Sequence, residues 1–133
     1  MLVLKATNDR ELEAAFETVA QERVGALAVK IDPFLFRAQD QIISLASRQG
    51  LPAMYPVRQF VDAGGLMSYS PNRLFSWRQA GLYAARILRG EKPADLPVQR
   101  SDRIELIINV KTSKALGLSI PISVLARADQ VIE

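Results

Sequence analysis

Apolar and polar positions fall into short blocks along the chain, and the period of the pattern switches between that of a strand and that of a helix. Leu2 to Ala6 is a short apolar run and reads as a first strand. Asn8 follows as a helix cap. Glu11 stands three residues later, the spacing at which a cap side chain and an acid satisfy backbone donors at a helix start. The helix behind them carries Leu12, Ala15, Phe16 and Val19 on one stripe. Ala26 to Ile31 reads as a buried strand that Asp32-Pro33 ends, because proline cannot donate within a central strand. A second helix turns Ile42, Ile43, Leu45 and Ala46 inward and takes Gly50 as its C-terminal cap. Pro52 to Tyr55 is the third short strand, closed by Pro56.

The second half begins at Gly64-Gly65, a flexible entry to a very short strand, Leu66 to Ser68. Ser70 has the chemistry of an N-cap and Pro71 that of a first helical residue. The helix they open runs to about Arg89, with Leu74, Trp77, Gly81, Ala84 and Leu88 along one face. Gly90 stops it. Glu91 to Gln99 is an extended connector whose prolines exclude a helix interior. Ile104 to Val110 is the last strand. Thr112 to Leu116 makes a helical turn or two, ended by Gly117, and Pro121 opens a final short helix through Val131. Strands alternating with helices at this spacing predict an α/β fold, with right-handed crossovers and a parallel sheet covered on both faces. Ligands of such sheets bind outside the carboxyl ends of the strands. The loops after Ile31, Tyr55 and Met67 lie at that edge.

Composition narrows the chemistry. With 133 residues, 49% hydrophobic and 23% charged, the chain suits one globular domain. The net charge is +3, but the 17 Lys and Arg are spread out, so basicity alone does not argue for nucleic acid. There is no Cys and no His. That removes a thiol nucleophile, a Ser-His-Asp triad and the usual donor set of a structural zinc site. No nucleophile elbow, phosphate-binding glycine loop or paired acids at the first strand's end is present, so an enzyme is not expected, and no cofactor is implied. The start, MLVLKATNDRELE, does not read as a secretory signal. As written, the chain is expected to stay where it is made.

Several segments, taken in order, resemble a known family: AspPro-Phe, LeuPro-Ala-x-Tyr, AlaGlyGly-Leu-Met-Ser-Tyr and Ile-Leu-x-Gly. After these come Lys-Pro-Ala-Asp-Leu-Pro-Val, Glu-Leu-x-Ile-Asn, Lys-Thr-x-Lys-Ala-Leu-Gly-Leu and Ala-Asp-x-Val-Ile. Together they resemble the C-terminal part of ABC-transporter substrate-binding proteins of the tryptophan- and tyrosine-type. The resemblance implies a type I periplasmic-binding-protein fold, in which two α/β lobes close on a small solute about a hinge. It implies that residues 1–133 form an incomplete, three-layer C-terminal lobe, without that lobe's first strand and helix and without the N-terminal lobe. Residues 66–90 would be the segment that crosses back to that lobe. The family works outside the cytoplasm and hands its solute to a membrane permease.

Candidate binding residues follow from both readings. Asp32, after a strand at the binding edge, can accept a bond from a ligand amine, or can cap the helix at Pro33. Phe34 and Phe36 can stack on an apolar solute or fill the core. Tyr55 and Arg58 follow the third strand, where Arg58 can hold a ligand carboxylate as a bidentate pair or stand as a surface arginine. By the resemblance, Ser68, Tyr69 and Ser70 lie at the hinge beside the ligand, two hydroxyls and a ring for a polar solute. The family usually has Gly where Ser70 stands. Trp77 reads as core or interface, and Arg73, Arg78, Arg86 and Arg89 as a solvated basic face.

Two functions of different class follow. One is solute binding, with a small organic molecule such as an amino acid held between two lobes and no reaction catalysed. The other is a self-associating interaction module, since a lobe cut from its partner exposes apolar surface. That reading predicts a homo-oligomer formed by exchange of the helix between Pro71 and Arg89.

Overall fold

The computed structural model describes residues 1–98 and 104–133. Its elements, in chain order, begin with helix α1 (Asp9–Gln21), strand β1 (Leu27–Ala28), helices α2 (Pro33–Arg37) and α3 (Gln39–Arg48), and strand β2 (Ala53–Tyr55). Helix α4 (Arg58–Asp62), strand β3 (Met67–Pro71) and helix α5 (Arg73–Leu88) follow. The chain closes with strand β4 (Ile104–Asn109), helices α6 (Val110–Ala115) and α7 (Ile122–Leu125), and strand β5 (Gln130–Ile132).

The five strands pair in chain order, β1-β2-β3-β4-β5. Three of the neighbouring pairs are parallel, and β3 with β4 is antiparallel. The α/β class holds, with a mostly parallel sheet. β4 follows β3 after helix α5 and runs back against it, from Pro71↔Ile104 to Met67↔Ile108.

One face of the sheet carries the main core. Leu12, Phe16 and Val19 of α1, Ile42 and Ala46 of α3, Ala53 and Tyr55 of β2, and Phe60 of α4 pack into one cluster. The side-chain amide of Gln49 ties the end of α3 to α1 by donating to the Phe16 carbonyl at 3.0 Å. On the other face, strand pairing aligns a row of apolar residues across all five strands: Ala28, Met54, Met67, Ile108 and Val131. Ile108 is fully buried, whereas Met54 and Val131 are exposed.

The caps explain the helix starts. The Asn8 side chain accepts from the Glu11 N–H at 3.0 Å, as its spacing predicted. The Glu11 carboxylate reaches back to the N–H and hydroxyl of Thr7, both at 2.8 Å, and these bonds hold its pKa below the usual value. Gly50 closes α3 at φ 61°, the left-handed conformation expected of it.

Several boundaries differ from the sequence reading. Leu2 to Ala6 is not a strand; Leu2, Val3 and Leu4 are exposed, and no strand among the described residues takes up their backbone groups. The second predicted helix is two, joined at Ala38, which ends α2 and starts α3. Ser70 does not cap α5, because β3 stays paired to β4 through Pro71. The cap is Asn72, whose Oδ1 accepts from the Phe75 N–H at 2.8 Å. The final helix ends at Leu125, and Gln130–Ile132 pairs with β4 instead. The connector contains a 3-10 turn at Pro93–Asp95, and its last residue, Gln99, lies outside the described residues. Trp77 is 59% exposed and belongs to no core of this chain.

Candidate functional site

Strand direction brings distant residues to one edge. The carboxyl ends of β1, β2 and β3 lie beside the amino ends of β4 and β5, because β4 reverses direction. Asp32 follows β1, Arg58 follows β2, and Tyr69 and Ser70 end β3 at this edge.

Asp32 caps α2. Its Oδ1 accepts from the N–H groups of Phe34 (2.8 Å) and Leu35 (3.2 Å). The carboxylate is exposed and fixed in direction by those two bonds. Phe34 is half-buried and packs on the main core. Its ring also lines a wide groove with Thr7, Asn8, Asp9, Arg37, Asp40 and their neighbours. Phe36 meets Phe60 edge to face, with ring centroids 6.1 Å apart.

Arg58 opens α4. Its Nε pairs with Asp62 at 3.0 Å one turn on, and its Nη1 donates to Gln130 Oε1 at 2.6 Å. This bond joins the loop after β2 to the start of β5. Both members of the ion pair are about half exposed, so the pair itself adds little stability. What it supplies is direction: the guanidinium is held at the edge by two partners.

β3 alternates, as any strand does. Ser68 faces the core and is fully buried, while Tyr69 points to the opposite face and is 58% exposed. Ser70 returns to the Ser68 side at the strand's end, half-buried, opposite Glu105. The Asn72 amide donates to the Glu105 carboxylate. Asp129 locks the neighbouring pair, its Oδ2 accepting from the Leu106 N–H at 2.9 Å.

Two of the expected binding residues are core residues here. Tyr55 is 2% exposed and stacks on Phe60 at 5.0 Å between centroids, and burial pushes its hydroxyl up to about 12. Ser68 lies next to Tyr55 across the strand pair, and its Oγ has no hydrogen-bond partner among the described residues. Both stand one layer below the accessible surface, at positions where β-strand alternation turns the side chain inward.

Asp32, Arg58, Tyr69 and Ser70 thus share the accessible edge. Sequence reasoning missed Glu105 and Gln130, which brace this edge. Gln130 sits 72 positions from Arg58, beyond any local pattern. Arg37 carried a findable signal, one helical turn after Phe34. Among the described residues there is no group of three or more acidic side chains able to hold a metal ion, and no helix long and apolar enough to cross a membrane.

The family model "ABC transporter substrate binding protein" matches residues 1–132. Among curated proteins none matches significantly. Among solved structures, the ABC domain in complex with L-Trp from Streptococcus pneumonia is 28% identical, with TM-score 0.84, over 96% of this chain and 43% of that one. A conserved domain protein from Vibrio cholerae O1 biovar El Tor is 28% identical, with TM-score 0.83, over 95% of this chain and 42% of that one. The ligand-free, open structure of a substrate-binding protein with adhesive properties from Clostridium difficile shares the fold at 24% identity and TM-score 0.69, over 96% of this chain. The chain therefore spans about two fifths of the length of these proteins, matching 42% to 43% of each.

Proposed function

Because the chain belongs to the ABC transporter substrate-binding protein family, we propose that it forms one wall of a solute-binding cleft, at the carboxyl edge of β1 to β3. The solute class is a small organic molecule such as an amino acid. The observation that carries this reading is the similarity to the domain in complex with L-Trp, at TM-score 0.84 over nearly all of this chain.

The edge has suitable chemistry. The Asp32 carboxylate is directed outward and suits an ammonium group. The Arg58 guanidinium suits a carboxylate. Tyr69 offers an exposed ring to an apolar side chain, and the Ser70 hydroxyl a polar contact. Phe34, with Arg37 beside it in the adjoining groove, extends the same wall. Residues 66–90 would lead to a second lobe that supplies the opposite wall. Closure of two lobes buries the solute and supplies most of the affinity. No reaction is assigned to the site. In an importer the closed form would pass its solute to a membrane permease, outside the cytoplasm.

Calorimetric titration of the 133-residue chain with L-tryptophan and other amino acids tests the reading. One wall alone binds weakly, in the millimolar range (roughly 4 kcal/mol). Tight micromolar binding by a monomeric chain would overturn the one-wall reading.

A further inference from the structure

Arg58 is a long, flexible side chain on the short helix α4, with half its surface in solvent. Its ion pair with Asp62, one turn on and about as exposed, is too weak to hold such a chain in one direction. The second partner is of another kind. Nη1 donates to Gln130 Oε1 at 2.6 Å, a short bond from a charged donor to a neutral acceptor.

Gln130 stands on a fixed frame. The residue before it, Asp129, exchanges two bonds with Leu106 of β4. Its N–H donates to the Leu106 carbonyl at 2.9 Å, and its Oδ2 accepts from the Leu106 N–H at 2.9 Å. Gln130 and Val131 then pair with Ile107 and Ile108, which are both buried and pair in turn with Ser68 and Met67 of β3. A mobile arginine is thus tied to the sheet by a side chain 72 positions away.

The bonds already made leave room for a solute. A guanidinium has five N–H donors in a fixed fork. Nε gives one to Asp62 and Nη1 gives one to Gln130. The rest, two on Nη2 and one on Nη1, have no partner among the described residues, and they are enough for both oxygens of a carboxylate. Charge matters as much as reach. Arg58 brings one positive charge and Asp62 one negative. An acid at position 130 would make this cluster net negative, and it would repel a carboxylate. Glutamine supplies the same acceptor without the charge.

We propose that Gln130 is a positioning residue of the solute site. It aims Arg58 at a carboxylate and, being neutral, leaves the guanidinium's charge to that group. The site therefore selects solutes with a free carboxylate. This rests on the solute-binding reading and adds to it what the solute must carry.

NMR of the 133-residue chain tests the proposal in two steps. Gln130 is exposed, so its substitution leaves the core intact. Without any solute, Gln130→Ala speeds exchange of the Arg58 Nε–H with water several-fold, whereas Gln130→Glu, which keeps an acceptor, does not. With solute, the parent binds L-tryptophan more tightly than L-tryptophanamide, which lacks the carboxylate. Both variants bind L-tryptophan roughly tenfold more weakly than the parent, and neither loses affinity for the amide. A merely structural role would weaken both ligands alike. An Arg58 Nε–H equally slow in Gln130→Ala and the parent would overturn the positioning. L-tryptophan bound equally well by Gln130→Glu and the parent would overturn the role of charge, and the solute-binding reading would stand. A parent that binds neither ligand would overturn that reading, and the proposal with it.

Discussion

The ring of Tyr55 lies so close over Gly65 that a Cβ at position 65 would stand 2.6 Å from Tyr55 Cε2 and 2.7 Å from the Phe60 carbonyl oxygen. The second of these neighbours is backbone, and it already accepts the Gly65 N–H at 2.7 Å. A side chain at 65 must therefore displace either the buried ring or the turn between α4 and β3. Gly65→Ala is expected to destabilise the fold by roughly 1–3 kcal/mol, the usual cost of overpacking. Urea denaturation measures it, and a variant as stable as the parent would contradict the geometry.

Burial of the same ring predicts a pH dependence. The Tyr55 hydroxyl is pushed from 10.0 up to about 12. Between those values the unfolded chain gives up its proton while the folded chain keeps it, so stability is full below pH 10 and falls as pH rises toward 12. The loss attributable to Tyr55 is roughly 2–3 kcal/mol at most. Tyr55→Phe should flatten this part of the curve. Identical alkaline profiles for parent and variant would show that the hydroxyl is not desolvated.

Asp32 can be divided into its two roles by two substitutions. Asp32→Ala removes the cap of α2 and should cost about 1 kcal/mol. Asp32→Asn keeps an acceptor for the Phe34 N–H and should cost much less, while deleting the charge offered to a ligand amine. Weaker amino-acid binding in the stable Asn variant would mark a binding carboxylate. Unchanged binding would leave Asp32 as a cap alone.

Ser68 carries a buried hydroxyl with no partner among the described residues. Ser68→Ala removes an unpaired polar group and should leave stability unchanged or raise it by up to about 1 kcal/mol. A clear loss of stability in thermal unfolding would mean that the hydroxyl is bonded.

The alternation of elements was legible because each strand or helix carried its own punctuation. Asn8, Pro33, Gly50 and Gly117 mark boundaries by local chemistry, and the structure uses them. What was illegible depends on partners far along the chain. β5 is a strand because Asp129 and Gln130 meet β4, yet the local pattern permits a helix. Ser70 has the chemistry of a cap, but pairing with Glu105 keeps it in a strand. The short α4 fell below the length at which periodicity speaks, and its Phe60 and Val61 are fully buried. At the candidate site, the edge position of Asp32 and Arg58 followed from strand order. The inward facing of Tyr55 and Ser68 followed from strand phase, which a run of two or three residues does not fix.

The most direct test of the central claim is an amide-resolved NMR titration of the 133-residue chain with L-tryptophan. The account predicts weak, fast-exchanging shifts confined to the edge around Asp32, Arg58, Tyr69 and Ser70, with the core around Tyr55 and Ser68 unmoved. Shifts at the opposite ends of the strands, or none with any amino acid, would contradict it.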